Sequence, residues 1–278
     1  MHLHKTIHDY AEKNGVLIGI CSAAGLPPLL KTAQSVIVVG VGYGKQESFV
    51  TDNIPRGRLA SYAIGIDYHI KVRNLLAELV NYLRDTGVTF DSYIHVDSGP
   101  LPERRLALKA GIGYLGRNGC IISKKFGSFF NIGCVLTSIN LEPYSLINSF
   151  DIKCSNCTAC ITNCPSGALT ETGYDYTKCV SHITQKRGEL SNWEQTIIGS
   201  HLFGCDACQS VCPQNTGKHI CQINDINEIM PPLSEIFSMT KSTFKVKYGN
   251  TAIHWRGLST IKRNASAIMN NYYKKGDT

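Results

Sequence analysis

The chain has 278 residues, 43% of them hydrophobic and 18% charged, with a formal net charge of +7. This is the composition of a folded globular protein, long enough for one large domain and a smaller one, and it excludes a disordered or low-complexity chain. The opening Met-His-Leu-His-Lys-Thr-Ile-His has no apolar signal-peptide core, and no apolar run approaches a membrane span, so a cytoplasmic protein without membrane contact is expected.

Residues 2–14 are weakly amphipathic and predict a helix. Val16–Cys21 and Ser35–Tyr43 read as buried strands, the second carrying Val36-Ile37-Val38-Val39. From Arg58 to Asp85, Leu59, Tyr62, Ile66, Ile70, Leu75, Leu76, Val80 and Leu83 recur at helical intervals and predict one long or broken helix. Val88–Val96 predicts a strand, Leu101–Ala110 a helix and Phe129–Thr137 another apolar strand. Such alternation implies an α/β (α+β) layered domain over residues 1–150. Within it, Gly111-Ile-Gly113-Tyr-Leu-Gly116-Arg117-Asn118 matches G-x-G-x-x-G. A dinucleotide site needs that pattern to follow a strand and open a helix, whereas here it follows a helix, so a Rossmann site is rejected. A loop whose backbone approaches a bulky cofactor is the better reading, because glycine removes the Cβ obstruction.

The second region, 151–215, is read from its cysteines. Cys154-Ser-Asn-Cys157-Thr-Ala-Cys160-Ile-Thr-Asn-Cys164-Pro165 is C-x2-C-x2-C-x3-C-P, and Cys205-Asp-Ala-Cys208-Gln-Ser-Val-Cys212-Pro213 repeats its second half. Three closely spaced thiolates wrap one cubane while the fourth ligates its neighbour. Cys179 replaces the cysteine missing from the second run. One 4Fe-4S cluster is therefore assigned to Cys154, Cys157, Cys160 and Cys212, and the other to Cys164, Cys179, Cys205 and Cys208, in a ferredoxin-like domain held by metal more than by an apolar core. Paired zinc sites are the alternative, but they do not call for two crossed C-x3-C-P ends. Cys21, Cys120, Cys134 and Cys221 lie outside this spacing and read as small buried apolar residues.

Residues 216–278 predict short helices packing on the cluster domain, with a last helix over Asn264–Tyr273. From Lys241 onward eight basic residues face one acidic residue, Asp277, while the first 240 residues balance. Tyr248, Trp255, Tyr272 and Tyr273 interleave with these bases. The pattern fits a polyanion footprint, with Arg256, Lys262 and Arg263 as RNA contacts, or a solvated helix that keeps the chain in solution.

Several segments together resemble the epoxyqueuosine reductase family. They are Gly65-Ile-Asp67-Tyr68-His69, Val96-Asp97-Ser98-Gly99-Pro100-Leu-Pro-Glu103-Arg104, Ala110 to Asn118, Gly127-Ser-Phe-Phe130, Lys178-Cys179-Val-Ser181, Gly204-Cys205-Asp206-Ala-Cys208-Gln209 and Tyr248-Gly-Asn-Thr251-Ala252 through Arg263-Asn264-Ala265. The resemblance implies a cobalamin-binding domain related to reductive dehalogenases, joined to the two-cluster domain. It implies reduction of epoxyqueuosine to queuosine at the tRNA wobble position, with tRNA (the anticodon stem-loop) and an external low-potential electron donor as partners, in a monomeric enzyme. Family members commonly continue into a helical-repeat domain, whereas this chain stops shortly after Arg263-Asn264-Ala265 and is similar to a short form. The family often has an acidic residue where this chain has Cys134.

By the same resemblance, Asp97 is the proton donor for the departing epoxide oxygen, a role that burial of its carboxyl would favour. On the residues alone, Asp97 and Ser98 read equally as caps of the helix at 101–110. Ala60, Asp97, Arg117, Asn118, Ile121, Ile132, Lys186 and Asp206 are implied as cobalamin contacts. Several of the apolar ones could be core, and Arg117 with Asn118 could cap the next strand. Asp67-x-His69-x-x-Val72 lacks the closing glycine of the cobalt-ligating D-x-H-x-x-G pattern, so His69 is expected to be a packed or hydrogen-bonded histidine. Two other functions fit the cofactors: a cobalamin and iron–sulfur reductase of a small organic substrate, and an electron-transfer module, for which 150 residues of upstream structure have no use.

Overall fold

A run of β-branched residues with both faces apolar is stable only where both faces are covered, and Val36–Val39 occupies such a place. The protein is described by a computed structural model over residues 2–47, 52–145, 154, 156–218, 220–222 and 226–276. Its first elements are α1 (His2–Asn14), β1 (Leu17–Ser22), β2 (Ser35–Gly42), β3 (Lys45–Glu47), β4 (Arg58–Leu59), α2 (Tyr68–Arg84), β5 (Ser92–His95) and α3 (Glu103–Lys109). There follow β6 (Tyr114–Leu115), β7 (Ile121–Ile122), β8 (Phe130–Thr137), β9 (Tyr144–Ser145), α4 (Ala159–Thr162), α5 (Val180–Gln185), α6 (Asn192–Ile197), β10 (His201–Phe203) and α7 (Ala207–Ser210). The chain closes with β11 (Ile220–Gln222), α8 (Ile226–Ile229), α9 (Leu233–Ser238), α10 (Lys241–Tyr248) and α11 (Gly257–Gly276). These elements form two compact units, Met1–Tyr43 with His69–Cys157, and Gly44–Tyr68 with Thr158–Thr278.

The first unit is built on a sheet of order β5-β8-β2-β1-β9, antiparallel throughout. Val36 and Val38 of β2 join Leu17, Leu106, Ile112 and Phe130 in an apolar cluster beneath α3. Gly133 of β8 lies against Val72 and Leu76 of α2 on the other face, and the Tyr10 hydroxyl ties α1 to the Leu75 carbonyl at 2.7 Å. The strands of the sequence reading appear within a residue or two, apart from β5, which is shorter. Because the strands pair antiparallel, the layers belong to the α+β type.

The long helix expected from Arg58 starts only at Tyr68. Arg58 and Leu59 instead pair in parallel with His201 and Phe203, and Gly65 has φ +76°, outside the helical region. The helical spacing of Leu59 and Tyr62 arises because both pack in the core of the second unit: Leu59 and Ala63 join Ile183, Leu202, Phe203 and Leu233. Residues of the cysteine region thus share an apolar core with both ends of that unit, a larger apolar contribution than a domain held by metal more than by a core would need.

The second unit is centred on α11, which packs on β10, α6 and α9 and is longer than the Asn264–Tyr273 helix expected. Asn264 is fully buried, and its Nδ2 donates to the carbonyls of Thr184 at 2.7 Å and Leu202 at 2.9 Å. Beside it, Arg263 Nη1 donates to the carbonyls of Lys186 and Gly188, and Nη2 to those of Ile183 and Thr184. This clamp satisfies the carbonyls at the end of α5 that have no partner within the helix. Asn264→Ala takes the amide donor from the buried Leu202 carbonyl and leaves that of Thr184 only its 3.5 Å bond from Arg263, and is expected to lower stability by about 2–4 kcal/mol. A loss below about 0.5 kcal/mol in urea denaturation would show the clamp to be dispensable.

Candidate functional site

In the first unit, β5 delivers His95 to the inner side of the sheet, opposite Cys134 of β8, and the chain then turns through Asp97-Ser98-Gly99-Pro100. Among the described residues, Asp97 is the one non-glycine residue with positive φ, at 55°, a conformation that aspartate tolerates better than most. Its backbone N–H donates to Glu103 Oε1 at 2.5 Å. Glu103 Oε1 also lies 3.3 Å from His95 Nε2, with side-chain exposures of 16% and 3%. Asp97 Oδ2 lies 3.3 Å from His69 Nε2, and its side chain is 55% exposed. Burial raises the Glu103 carboxyl to about 7, against the opposing hydrogen bond from Asp97. Burial pulls the His95 imidazole below its usual range, which the charge and backbone of Asp97 oppose only in part.

Asp97 does not cap the following helix: α3 begins at Glu103 after Pro102, with no side-chain cap. His69 is packed beside a carboxylate, in keeping with a hydrogen-bonded or packed histidine. Glu103 and His95 were not singled out from the sequence. The signal was present in the alternation of β5, which turns His95 inward, and in the acidic residue opening α3.

The glycine-rich stretch follows α3 and folds into the β6–β7 hairpin. A Cβ at Gly113 would stand 2.5 Å from the Ile122 carbonyl oxygen, so this glycine permits a close approach within its own hairpin. Arg104 secures the loop through the Gly119 carbonyl at 2.8 Å. Asn118 is 7% exposed, its Oδ1 accepts from the Cys120 N–H, and its Nδ2 is buried without a partner. That donor suits a polar group brought by a ligand such as a corrin amide. Arg117 is exposed, Ile121 is buried in the apolar cluster and Ile132 is partly buried against it. Cys21 and Cys134 are buried and Cys120 is half-buried; the side chain of Cys221 lies outside the described residues. Cys134 is fully enclosed, and burial raises its thiol well above the usual range. An acid at that position would be ionised beside Glu103 at a high desolvation cost.

In the second unit, α4 packs against α7. The residues preceding these helices, Thr158 and Asp206, have nearly equal backbone angles, φ −114°, ψ 5° and φ −109°, ψ 9°, so the two half-similar cysteine runs are also conformational repeats. The seven cysteines of the two runs, and Cys179 between them, are free thiols. Burial pushes the Cys205 thiol up to about 12, and nearby Cys179 and Cys164 add to the shift. Burial also acts against ionising Cys164, but the backbone N–H groups of Leu169, Ser166 and Ala168 and the Ser166 hydroxyl outweigh it and hold the thiol below its usual range. Cys205 close to Cys179 and Cys164, and N–H donors aimed at the Cys164 sulfur, suit an iron–sulfur ligand set. Among the described residues, no group of three or more His, Cys, Asp or Glu side chains converges as for a single metal ion.

Ala60 and Asp206 line one cavity of about 440 Å³ in this unit, together with Lys45, Arg58 and His201. Asp206 Oδ2 accepts the Ser61 N–H at 2.5 Å, and burial raises its carboxyl. Lys186 is engaged elsewhere, with its Nζ 2.5 Å from Glu194 Oε1. Burial pushes Glu194 up, but its bonds to Lys186 and Ser191 outweigh this and hold it below its usual range. Of the bases assigned to RNA, Arg256 stacks over Trp255 at 4.9 Å and Lys262 donates to the Phe237 carbonyl at 2.8 Å. Arg263 is spent on internal carbonyls, so the arrangement gives it to the fold and not to a phosphate. The side chain of Lys275, and Asp277 with Thr278, lie outside the described residues.

The shift at Glu103 has a sign that can be tested. The stability associated with a raised carboxyl is fully present below its usual 4.5 and is lost as the pH rises through about 7. Against the non-titrating Glu103→Gln, the natural protein is expected to lose on the order of 3 kcal/mol across that interval and to run parallel above it. The groups facing Glu103, namely His95, Asp97, His69 and Cys134, are present in both proteins, and the difference reads the titration of Glu103 together with its coupling to them. Denaturant titrations of the two proteins that stay parallel from acid to neutral pH would show that Glu103 ionises normally.

Comparison with known proteins agrees with this geometry. Residues 26–98 match the family model for epoxyqueuosine reductase, and 153–215 match a 4Fe-4S double cluster binding domain. The epoxyqueuosine reductase of Staphylococcus aureus is 37% identical over 253 residues, 87% of this chain and 65% of that one. The one from Lactococcus garvieae is 31% identical over 249 residues, 87% of this chain and 70% of that one. The chain thus spans about two-thirds of the length of the curated relatives it matches. The structure of epoxyqueuosine reductase from Streptococcus thermophilus superposes with a TM-score of 0.89 at 26% identity, over 99% of this chain and 83% of that one. A catabolic reductive dehalogenase shares the fold, at 14% identity and a TM-score of 0.53 over 96% of this chain and 37% of that one. Among the described residues no helix is long and apolar enough to cross a membrane. With its two sequence signatures in register and its whole described length superposing on a solved relative, the chain belongs to the epoxyqueuosine reductase family.

Proposed function

We propose that the chain reduces epoxyqueuosine to queuosine in tRNA, with Asp97 as the proton donor to the departing epoxide oxygen. The observation that carries this reading is the Asp97 turn, in which a left-handed backbone, a buried acid and two histidines set one carboxyl apart from the core. Relatives support the substrate: one solved epoxyqueuosine reductase, 28% identical over 98% of this chain, holds an epoxyqueuosine-modified tRNA-Tyr stem loop. Another, from Bacillus subtilis, has been seen with its catalytic aspartate loop swung out of the active site. Cobalamin and two 4Fe-4S clusters, when bound, supply the two electrons that the reduction consumes.

The chain's own residues hold these groups and deliver the proton. Cys154, Cys157, Cys160 and Cys212 are assigned to one cluster, and Cys164, Cys179, Cys205 and Cys208 to the other. Asn118 Nδ2 offers a buried donor to the corrin, with Ile121 and Ile132 as apolar neighbours and Arg117 at the exposed edge. Ala60 and Asp206, which line a cavity of the second unit, are the other residues assigned to cobalamin. Lys186 acts through Glu194, ordering the start of α6. His69, 3.3 Å from the Asp97 carboxyl, is placed to exchange a proton with it. Arg256 and Lys262 contact the tRNA backbone around the anticodon stem-loop. The reading includes an external low-potential electron donor and a monomeric enzyme acting in the cytoplasm.

Two measurements test these assignments. Asp97→Ala is expected to retain both cofactors and to lower queuosine formation by about 10²–10⁴-fold, the usual contribution of a positioned acid. Undiminished conversion, measured by nucleoside mass analysis of the tRNA, removes Asp97 from the role. Cys179→Ser is expected to reduce bound iron from about eight to about four atoms per chain, while Cys120→Ser leaves it unchanged. An unaltered iron content in Cys179→Ser contradicts the pairing.

A further inference from the structure

We propose that Glu103 is a positioning residue that latches the Asp97 turn through its backbone, and that His95 holds the latch. The inference rests on the reading of Asp97 as proton donor and adds to it what keeps that carboxyl in place. Asp97 is held at φ 55°, a conformation that costs a non-glycine residue free energy and persists where its surroundings enforce it. The enforcing contact is the 2.5 Å bond from the Asp97 N–H to Glu103 Oε1, made in a largely desolvated setting where leaving the amide without an acceptor is costly.

Glu103 is itself fixed. It opens α3, and its Oε1 faces the 3% exposed imidazole of His95 at 3.3 Å. His95 in turn hydrogen-bonds the Asp97 backbone and is anchored by the pairing of β5 with β8. The turn closes over the imidazole at Gly99, where a Cβ would stand 2.6 Å from His95 Cε1. The ring is thus enclosed by Glu103, by the Asp97 backbone and by Gly99. Releasing Glu103 frees the Asp97 N–H and removes the restraint on φ, and the carboxyl then loses its fixed distance from His69.

An acid at the first position of a helix also stabilises that helix through its dipole, and the experiment separates this role from a latch. Hydrogen exchange at the Asp97 amide is measured on the full chain with both clusters reconstituted, alongside turnover on an epoxyqueuosine-modified stem loop. In Glu103→Ala the Asp97 amide is expected to exchange at least about tenfold faster while β8 amides keep their protection. Its kcat should fall by about 10–100-fold with KM for the stem loop within about twofold, as for a displaced catalytic group. Glu103→Gln keeps an acceptor oxygen and is expected to recover most of both. Should Glu103→Ala fail to fold, Glu103→Asp, with the carboxyl drawn back by one methylene, is expected to show the same two changes. Unchanged Asp97 exchange in the folded variant, or a Gln variant as impaired as Ala, overturns the latch. Exchange is read without substrate, so a natural chain inactive on epoxyqueuosine sinks the functional reading while the exchange result still decides the latch.

Discussion

A carboxyl group removed from water must be met by donors or give up its charge, and in the first unit this requirement falls on Glu103. The sheet is apolar on both faces, so the polar groups the chain needs are displaced to the end of β5 and the turn after it. There Glu103 accepts the Asp97 N–H, and His95 packs beside it with its Nε2 at 3.3 Å and meets the Asp97 backbone. Removing the acid would leave the Asp97 amide without its acceptor beside a space closed by Gly99, whereas removing the Asp97 carboxyl would leave that bond in place. Structural and chemical tasks are therefore divided between two acids six residues apart.

Desolvation works differently in the second unit. A thiol pushed to about 12, as at Cys205, is inert until a cation replaces its proton, and a cluster of iron is such a cation. The same burial that silences the free thiol then shields the metal from water, one of the levers on a cluster's potential. At Cys164 the N–H groups of Ser166, Ala168 and Leu169 supply the other lever by hydrogen-bonding the sulfur. The shared backbone angles before α4 and α7 explain how two short runs of similar sequence can present their thiols in related ways.

What could be read from the residues divides along physical lines. The strands around Val36–Val39 and Phe130–Thr137 were legible because burial on both faces selects β-branched residues locally. Cysteine spacing was legible because ligation geometry is short-range. Residues 58–67 misled because Leu59 and Tyr62 have helical spacing, yet Arg58 and Leu59 pair with β10, about 140 residues away in sequence and outside any local window, and Tyr62 sits in a short 3-10 turn, Ser61–Ala63. At Gly113 the missing side chain serves at least the hairpin itself, where Ile122 is the close neighbour. Glu103 and His95 were passed over because an acid opening a helix and a histidine ending a strand are common, and only their 3.3 Å approach in a buried setting sets them apart.

The basic carboxyl-terminal segment shows why formal charge is a poor guide to a surface field. Arg263 donates to four main-chain carbonyls and to Asn264 Oδ1, and burial draws its ionisation down. Lys247 pairs with Glu235 at 2.5 Å, and Lys262 is tethered to the Phe237 carbonyl. A guanidinium enclosed by carbonyls offers a phosphate neither free donors nor an exposed charge, so it adds little to counterion release on binding. Arg256 over Trp255, a residue 62% exposed, is of another kind: a cation on an aromatic face in reach of solvent can stack on a nucleobase and meet a phosphate at once. Of the three assigned bases, Arg256 beside Trp255 is the one whose setting suits a polyanion, while Arg263-Asn264-Ala265 owes its pattern to the carbonyls it clamps.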